Sequence, residues 1–128
     1  MKERNAATIR SIAEVLWVTP PEHYDAHSKM LVTPETDRTR HFDFRISSYQ
    51  PKGYVARHSH TVQEQIYYIL QGEGLMELDG ERTVVRKHEY IFIPPGVEHA
   101  IFNTGLEDLV FFVITSPPTD EPIAEAAR

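Results

Sequence analysis

Between residues 41 and 46 polar and apolar side chains alternate: Phe42, Phe44 and Ile46 fall on one face of an extended chain, His41, Asp43 and Arg45 on the other. A period of two is the signature of a half-buried strand, expected here over residues 40–48. Alternation recurs at residues 75–78, where Asp79 and Gly80 follow and residues 83–85 return, a tight-hairpin pattern. Further short strands are expected at residues 66–70, 90–93 and 100–102, separated by Gly72 and Gly74, by Pro94-Pro95-Gly96 and by Asn103-Thr104-Gly105. Residues 109–115 are almost continuously apolar, as a strand buried on both faces would be. Many short strands with turn residues between them and little helix predict an all-β sandwich or barrel.

The ends are less regular. Ile9, Ile12 and Leu16 have helical spacing, whereas residues 15–18 would suit a first strand, and the pattern leaves both open. Residues 1–30 are expected to form an arm that covers the barrel or a partner subunit, with a loop from Pro20 to residue 29. Residues 40–115 are the expected barrel core. From residue 116 a run rich in proline and charge predicts a tail ending in a short helix. No repeat or linker divides the chain, so 1–128 reads as a single domain.

A chain of 128 residues can bury a core of its own. The net charge of −6 opposes binding to nucleic acid or to an anionic membrane surface. The absence of cysteine excludes disulfides, thiolate metal sites and a cysteine nucleophile. Apolar runs such as residues 109–114 are too short to cross a bilayer, and Glu14 interrupts the N-terminal region before an apolar segment of useful length forms. A cytoplasmic protein acting on a small molecule is expected.

Candidate chemistry lies in residues 53–72. His58 and His60 are two apart, so on a strand they share a face and reach a common point. Two alternating imidazoles are often only surface or packing groups. A third, His99, follows the rigid turn at residues 94–96 and makes a metal site plausible, because imidazole suits zinc, copper, iron and nickel. If Gln65 points inward, alternation carries Tyr67 and Ile69 inward and sends Tyr68 and Leu70 outward. Tyr67 is then a pocket candidate able to offer its hydroxyl, with a core aromatic as the plain alternative. His23, His27 and His41 are expected as surface or packing histidines. Arg45 is expected on a solvated outer face, the alternative being a carboxylate clamp if its face lines the barrel.

These two stretches resemble the cupin family. The first matches its opening motif: Gly53, then His58-x-His60, then Glu64 and Gln65, and six residues on Gly72. The second matches PxGxxHxxxN in full, at Pro94, Gly96, His99 and Asn103. Only fifteen residues, 73–87, separate Gly72 from the second motif. The resemblance implies a double-stranded β-helix jelly roll, and His58, His60 and His99 as ligands of one divalent ion, iron, manganese, nickel or zinc. Counting back from Gly72 places Gln65 at the fourth ligand position, with Glu64 as its rival. That is one departure from the usual glutamate; the other is His88, where the motif has glycine, expected here as a turn residue because histidine tolerates positive φ.

Three histidines and a glutamine resemble a set of small single-domain cupins that includes enzymes of unsaturated uronate ketonisation. The implied function is Lewis-acid chemistry of the isomerase or lyase kind on a small organic or sugar acid, with Glu64 or Tyr67 moving the proton. With iron the same ligands would suit an oxygen-dependent cleavage. A jelly roll that binds a small molecule without chemistry is the other reading, since fold does not fix function. Relatives of this kind are often dimers, and a homodimer is expected.

Overall fold

The computed structural model describes residues 7–121. Eight strands dominate: β1 (His23–Val32), β2 (Asp43–Val55), β3 (Glu64–Gln71), β4 (Glu73–Leu78), β5 (Glu81–Arg86), β6 (Tyr90–Ile93), β7 (His99–Asn103) and β8 (Leu109–Ser116). Among the described residues the one α-helix, α1, is the four-residue turn Pro34–Asp37. The strand order is β5-β4-β7-β2-β8-β3-β6 with β1 added along β2, and every pairing is antiparallel.

β2 sets the architecture. Its residues 43–49 pair with β8, whereas Tyr54 pairs with Phe102 of β7. One strand thus joins the two halves of a single eight-stranded sheet, which closes into a nearly complete all-β jelly-roll barrel. Lys52 takes the left-handed conformation (φ 73°) on the way.

The expected hairpin forms between β4 and β5. Asp79 (φ 48°) and Gly80 (φ 86°) both adopt the positive φ that a two-residue turn of this hand demands. His88 (φ 70°) is a turn residue as its position suggested. In β3, Tyr67 and Ile69 are buried while Tyr68 and Ile66 stand outward, so the predicted parity holds.

Three expectations need correction. The loop at residues 20–29 is largely strand β1, whose pattern is hidden because Asp25 (φ 51°) shifts its register on β2 between Tyr24 and Ala26. Pairing along β2 decides the conformation there, not propensity. β8 is not buried on both faces: Phe111 and Val113 point into the core, but Ile114 is 39% exposed. The faces of β2 are reversed as well. Ser47 and Tyr49 point into the barrel beside Arg45, while Phe44 meets Phe112 on the outside in a tilted pair, 5.2 Å between ring centroids.

That outer apolar face explains the N-terminal arm. Ile12 and Val15 line one groove with Leu31, Phe44 and Phe112. The arm forms a single 3₁₀ turn, Ile12–Glu14, capped by the Ser11 hydroxyl, and Val18 makes one bridge to Ser28, so neither a longer helix nor a full strand develops. Arg10 pairs with Asp37 at 2.6 Å and the Lys29 ammonium donates to the Ile12 carbonyl at 3.0 Å, fastening the arm to α1 and β1. The short helix expected at the C-terminus lies outside the described residues.

The turn into β4 is packed more tightly than the turn before β7. Gly72 (φ +83°) would carry a Cβ 2.6 Å from the Asp108 carbonyl oxygen, whereas Gly96 (φ +84°) has nothing within 4 Å of that position. Both lose the freedom of a residue without a Cβ, worth about 1–2 kcal/mol. Gly72→Ala is therefore expected to lower unfolding stability by more than Gly96→Ala, by at least a further ~1 kcal/mol for the displaced backbone. Urea titrations of the two variants measure this, and equal losses would contradict the packing described.

Candidate metal centre

Two histidines are brought together by the backbone itself. The His58 amide donates to the His99 carbonyl at 3.1 Å and the His99 amide returns a bond to His58 at 2.8 Å, an isolated antiparallel bridge. His58 and His60 are thus in a connection between β2 and β3, not on a continuous strand as expected. The bridge keeps His58 extended all the same. The Gly96 amide donates to the His60 carbonyl at 2.8 Å, which ties the proline turn to the same segment.

Polar anchors hold this segment from outside. Arg57, next to His58, makes a two-pronged contact with Glu77 of β4, and Arg82 adds a third bond at 3.1 Å. Hydrogen bonds from Arg57 and then Arg82 hold the Glu77 carboxyl below its ordinary range. At the other end the Asp120 carboxylate accepts from the amides of Thr61, Val62 and Gln63, and these bonds lower its pKa too.

The imidazoles of His58, His60 and His99 form a cluster in which the ligating atoms all lie within 4.8 Å of one another. The ring of His58 is 4.2 Å from that of His99 and 5.0 Å from that of His60. The Nδ1 of His58 meets the Ala56 carbonyl at 2.7 Å, and the Nδ1 of His99 meets the Val97 carbonyl at 2.9 Å. A carbonyl only accepts, so each Nδ1 carries the proton and each Nε2 keeps a free lone pair. Such outer contacts orient the ligands of metal sites. His99 Nε2, His60 Nε2 and Gln65 Oε1 are buried without a hydrogen-bond partner.

Gln65 and Glu64 separate cleanly. Gln65 faces the cavity beside His58 and His60, and its Nε2 donates to the Thr115 hydroxyl at 3.0 Å, which leaves Oε1 free. Glu64 is exposed on the other face of β3 and does not line the cavity. Alternation sends it away from the cluster, so neither the ligand role nor the proton-transfer role expected for Glu64 fits this geometry.

Burial favours the neutral form of His60 and His99. Desolvation pushes the His99 pKa down to about 4 against the opposing bond to Val97, and desolvation followed by His58 lowers that of His60. Two imidazole nitrogens and an amide oxygen, unpaired in a buried pocket, with His58 beside them, fit a divalent cation; an unsatisfied buried acceptor otherwise costs about 1–3 kcal/mol.

The cluster opens on a cavity of about 160 Å³. This is below the roughly 300–1,000 Å³ typical of sites for drug-sized ligands. Tyr67 lines it as expected, 4% exposed, and burial raises its hydroxyl pKa so that it retains its proton. Two lining residues differ from expectation: Arg45, placed inside by the reversal of β2, and His23, which heads β1. The Arg45 Nε donates to Asp43 at 2.9 Å. A basic residue on a strand face that proves to be internal was the available signal for Arg45; the hidden register of β1 left none for His23.

The sequence profile of the Cupin domain matches residues 45–115. Among characterised and uncharacterised relatives, an uncharacterized protein of Methanocaldococcus jannaschii is 46% identical over 61 residues, covering 48% of this chain and 49% of that one. The oxalate-binding protein of Thermotoga maritima is 36% identical over 64 residues, 50% of this chain and 53% of its own length. The chain thus spans about half the length of these curated relatives. The structure of KdgF from Halomonas sp. superposes with a TM-score of 0.77 at 19% identity, covering 90% of this chain and 97% of that one, and supports the fold alone. With more than half of its length inside the family profile and the histidine cluster where both motifs place it, the chain belongs to the cupin family.

Proposed function

We propose that this cupin is a metal-dependent enzyme acting on a small organic or sugar acid, with His58, His60, His99 and Gln65 holding one divalent ion of iron, manganese, nickel or zinc. The observation that carries this reading is the set of buried, unpartnered donors, His60 Nε2, His99 Nε2 and Gln65 Oε1, beside a small cavity that also presents Arg45. The ion would supply Lewis acidity toward an oxygen of the bound acid.

The chain's own residues would do the rest. Arg45, held by Asp43, offers its remaining guanidinium donors to a carboxylate, a pairing that fixes orientation as well as charge. Tyr67 donates a hydrogen bond from a hydroxyl that burial keeps protonated. The apolar walls at Val55, Phe111 and Val113 exclude water and strengthen both contacts. Ketonisation of a 4,5-unsaturated uronate, an isomerisation of a small carboxylate, suits this arrangement. A second reading, a module that binds a small carboxylate and does no chemistry, is favoured by the similarity to the oxalate-binding protein.

Metal-loaded protein incubated with a 4,5-unsaturated uronate, followed by loss of the conjugated absorbance, tests the proposal. Turnover that disappears in Gln65→Ala and persists in Glu64→Ala is expected. Tight binding of oxalate without turnover of any acid offered would favour the binding module, and oxygen consumption by the iron form would redirect the reading to a dioxygenase. Separately, Arg45→Gln is expected to weaken oxalate binding to the loaded protein about tenfold or more by calorimetry, as befits a charged hydrogen bond of ~1.5–3 kcal/mol; unchanged affinity would remove Arg45 from the site.

Acid should destabilise the metal-free protein in a defined window. His99 has a folded pKa of about 4, below the value near 6.5 of an unfolded histidine. Between those values the unfolded chain binds the proton and the folded one does not, so stability falls as pH drops from about 6.5 to about 4. For so buried a group the loss is on the order of 3 kcal/mol. Unfolding titrations across that range should show the decline shrink in His99→Asn.

A further inference from the structure

The cavity holds a group that neither the metal ligands nor the carboxylate clamp accounts for. His23 begins β1, pairs with Val55 and lines the same cavity as His58, His60 and Arg45. Its Nδ1 lies 2.8 Å from the Pro21 carbonyl, and its ring stands edge-on to Tyr49, 5.9 Å between centroids. Because a carbonyl only accepts, Nδ1 carries the proton and Nε2 holds a lone pair. Among the described residues nothing hydrogen-bonds that nitrogen. His23 is not part of the cluster whose ligating atoms lie within 4.8 Å of one another.

Elimination sharpens its role. The titratable side chains that line the cavity are His23, Arg45, Tyr49, His58, His60 and Tyr67, with no carboxylate among them. Arg45 offers a guanidinium, which has donors only and no lone pair to take a proton. Tyr49 and Tyr67 are pushed up by burial and keep their protons. His58 and His60 are committed to the cluster. Only His23 is a neutral base with a lone pair to spare, and burial followed by the nearby His58 and Arg45 keeps it so against its bond to Pro21.

We propose that His23 Nε2 is the proton carrier of this cavity, abstracting a proton from the carbon next to the carbonyl of a small 2-oxo acid and returning it. The inference rests on the reading of the site as a metal centre for small organic acids. In the forward step the C–H bond breaks and an N–H bond forms at Nε2. The C–H electron pair becomes the carbon–carbon π bond as the carbonyl π pair moves onto oxygen, giving the enolate and an imidazolium. Reprotonation of carbon restores neutral His23, so no oxidant, reductant or co-reactant is consumed. The Pro21 carbonyl accepts from Nδ1–H throughout and steadies the imidazolium, as a fixed partner does for a general base. Tyr67 remains the hydrogen-bond donor and Arg45 the carboxylate clamp.

The test uses pyruvate as probe and the full-length protein, with His23→Asn as the variant, because the asparagine amide can keep the bond to Pro21 but has no second ring nitrogen. Three readouts are taken. Long-range nitrogen–proton spectra of the metal-free protein should show His23 protonated at Nδ1 and bare at Nε2. Elemental analysis should give His23→Asn the metal content of the wild type. Proton spectra in deuterated water should show the pyruvate methyl group exchanging with solvent in the loaded wild type, about a hundredfold slower in His23→Asn, and at the wild-type rate in His27→Asn, whose ring bonds only the Thr19 hydroxyl outside the cavity. A proton on Nε2, metal loss in His23→Asn, or exchange that is absent from the loaded wild type or unchanged in His23→Asn would each overturn the role of His23. Failure of the wild type to take up metal would instead sink the metal-centre reading on which the inference rests.

Discussion

The site depends on one pair of hydrogen bonds, those that join His58 and His99 across a gap with no continuous strand. They make neighbours of two motifs that are distant in the chain and leave their rings 4.2 Å apart at the centroids. Everything polar around them serves that closeness. Backbone carbonyls of Ala56 and Val97 turn both Nε2 atoms toward the centre, and Glu77 and Asp120 hold the connecting segment at its two ends. Burial favours the neutral form of His60 and His99, the form of imidazole that binds metal.

A barrel core would ordinarily be stabler without unpaired acceptors, since each buried lone pair left unsatisfied costs about 1–3 kcal/mol. Here three such atoms are gathered in one place. The remainder of the interior offsets that cost: Phe111, Ile69, Ile101 and Leu109 are almost completely buried, and aromatic pairs such as Tyr67 with Phe111 at 5.2 Å pack the floor beneath the cluster. The rigid wall then serves the site in turn, because ligands held by packing keep their geometry when the occupant changes.

Much of this was legible in the sequence, and unevenly so. Turn chemistry gave the β4–β5 hairpin, because Asp79-Gly80 admits few conformations, and the family spacing gave His58, His60 and His99 together. That Gln65 and not Glu64 faces the cavity follows from strand parity once β3 is known to place Tyr67 inside. Parity failed at β2, where Phe44 and Ile46 suggested an inner face. The N-terminal arm supplies a second apolar layer outside that strand, so hydrophobicity no longer marks the inside, and Arg45 turns inward. β1 was invisible for a different reason. The register shift beside Asp25 breaks its alternation, so the strand is dictated by the partner it lies against, and with it the position of His23.

Every proposed role in the cavity requires that the His58–His99 pocket bind a divalent ion. Elemental mass spectrometry of untagged protein beside His99→Ala tests it most directly. Near-stoichiometric iron, nickel, manganese or zinc in the wild type that vanishes in His99→Ala is the predicted result. Absence of metal from both samples after incubation with each of the four ions, or equal loading of the two, would contradict it.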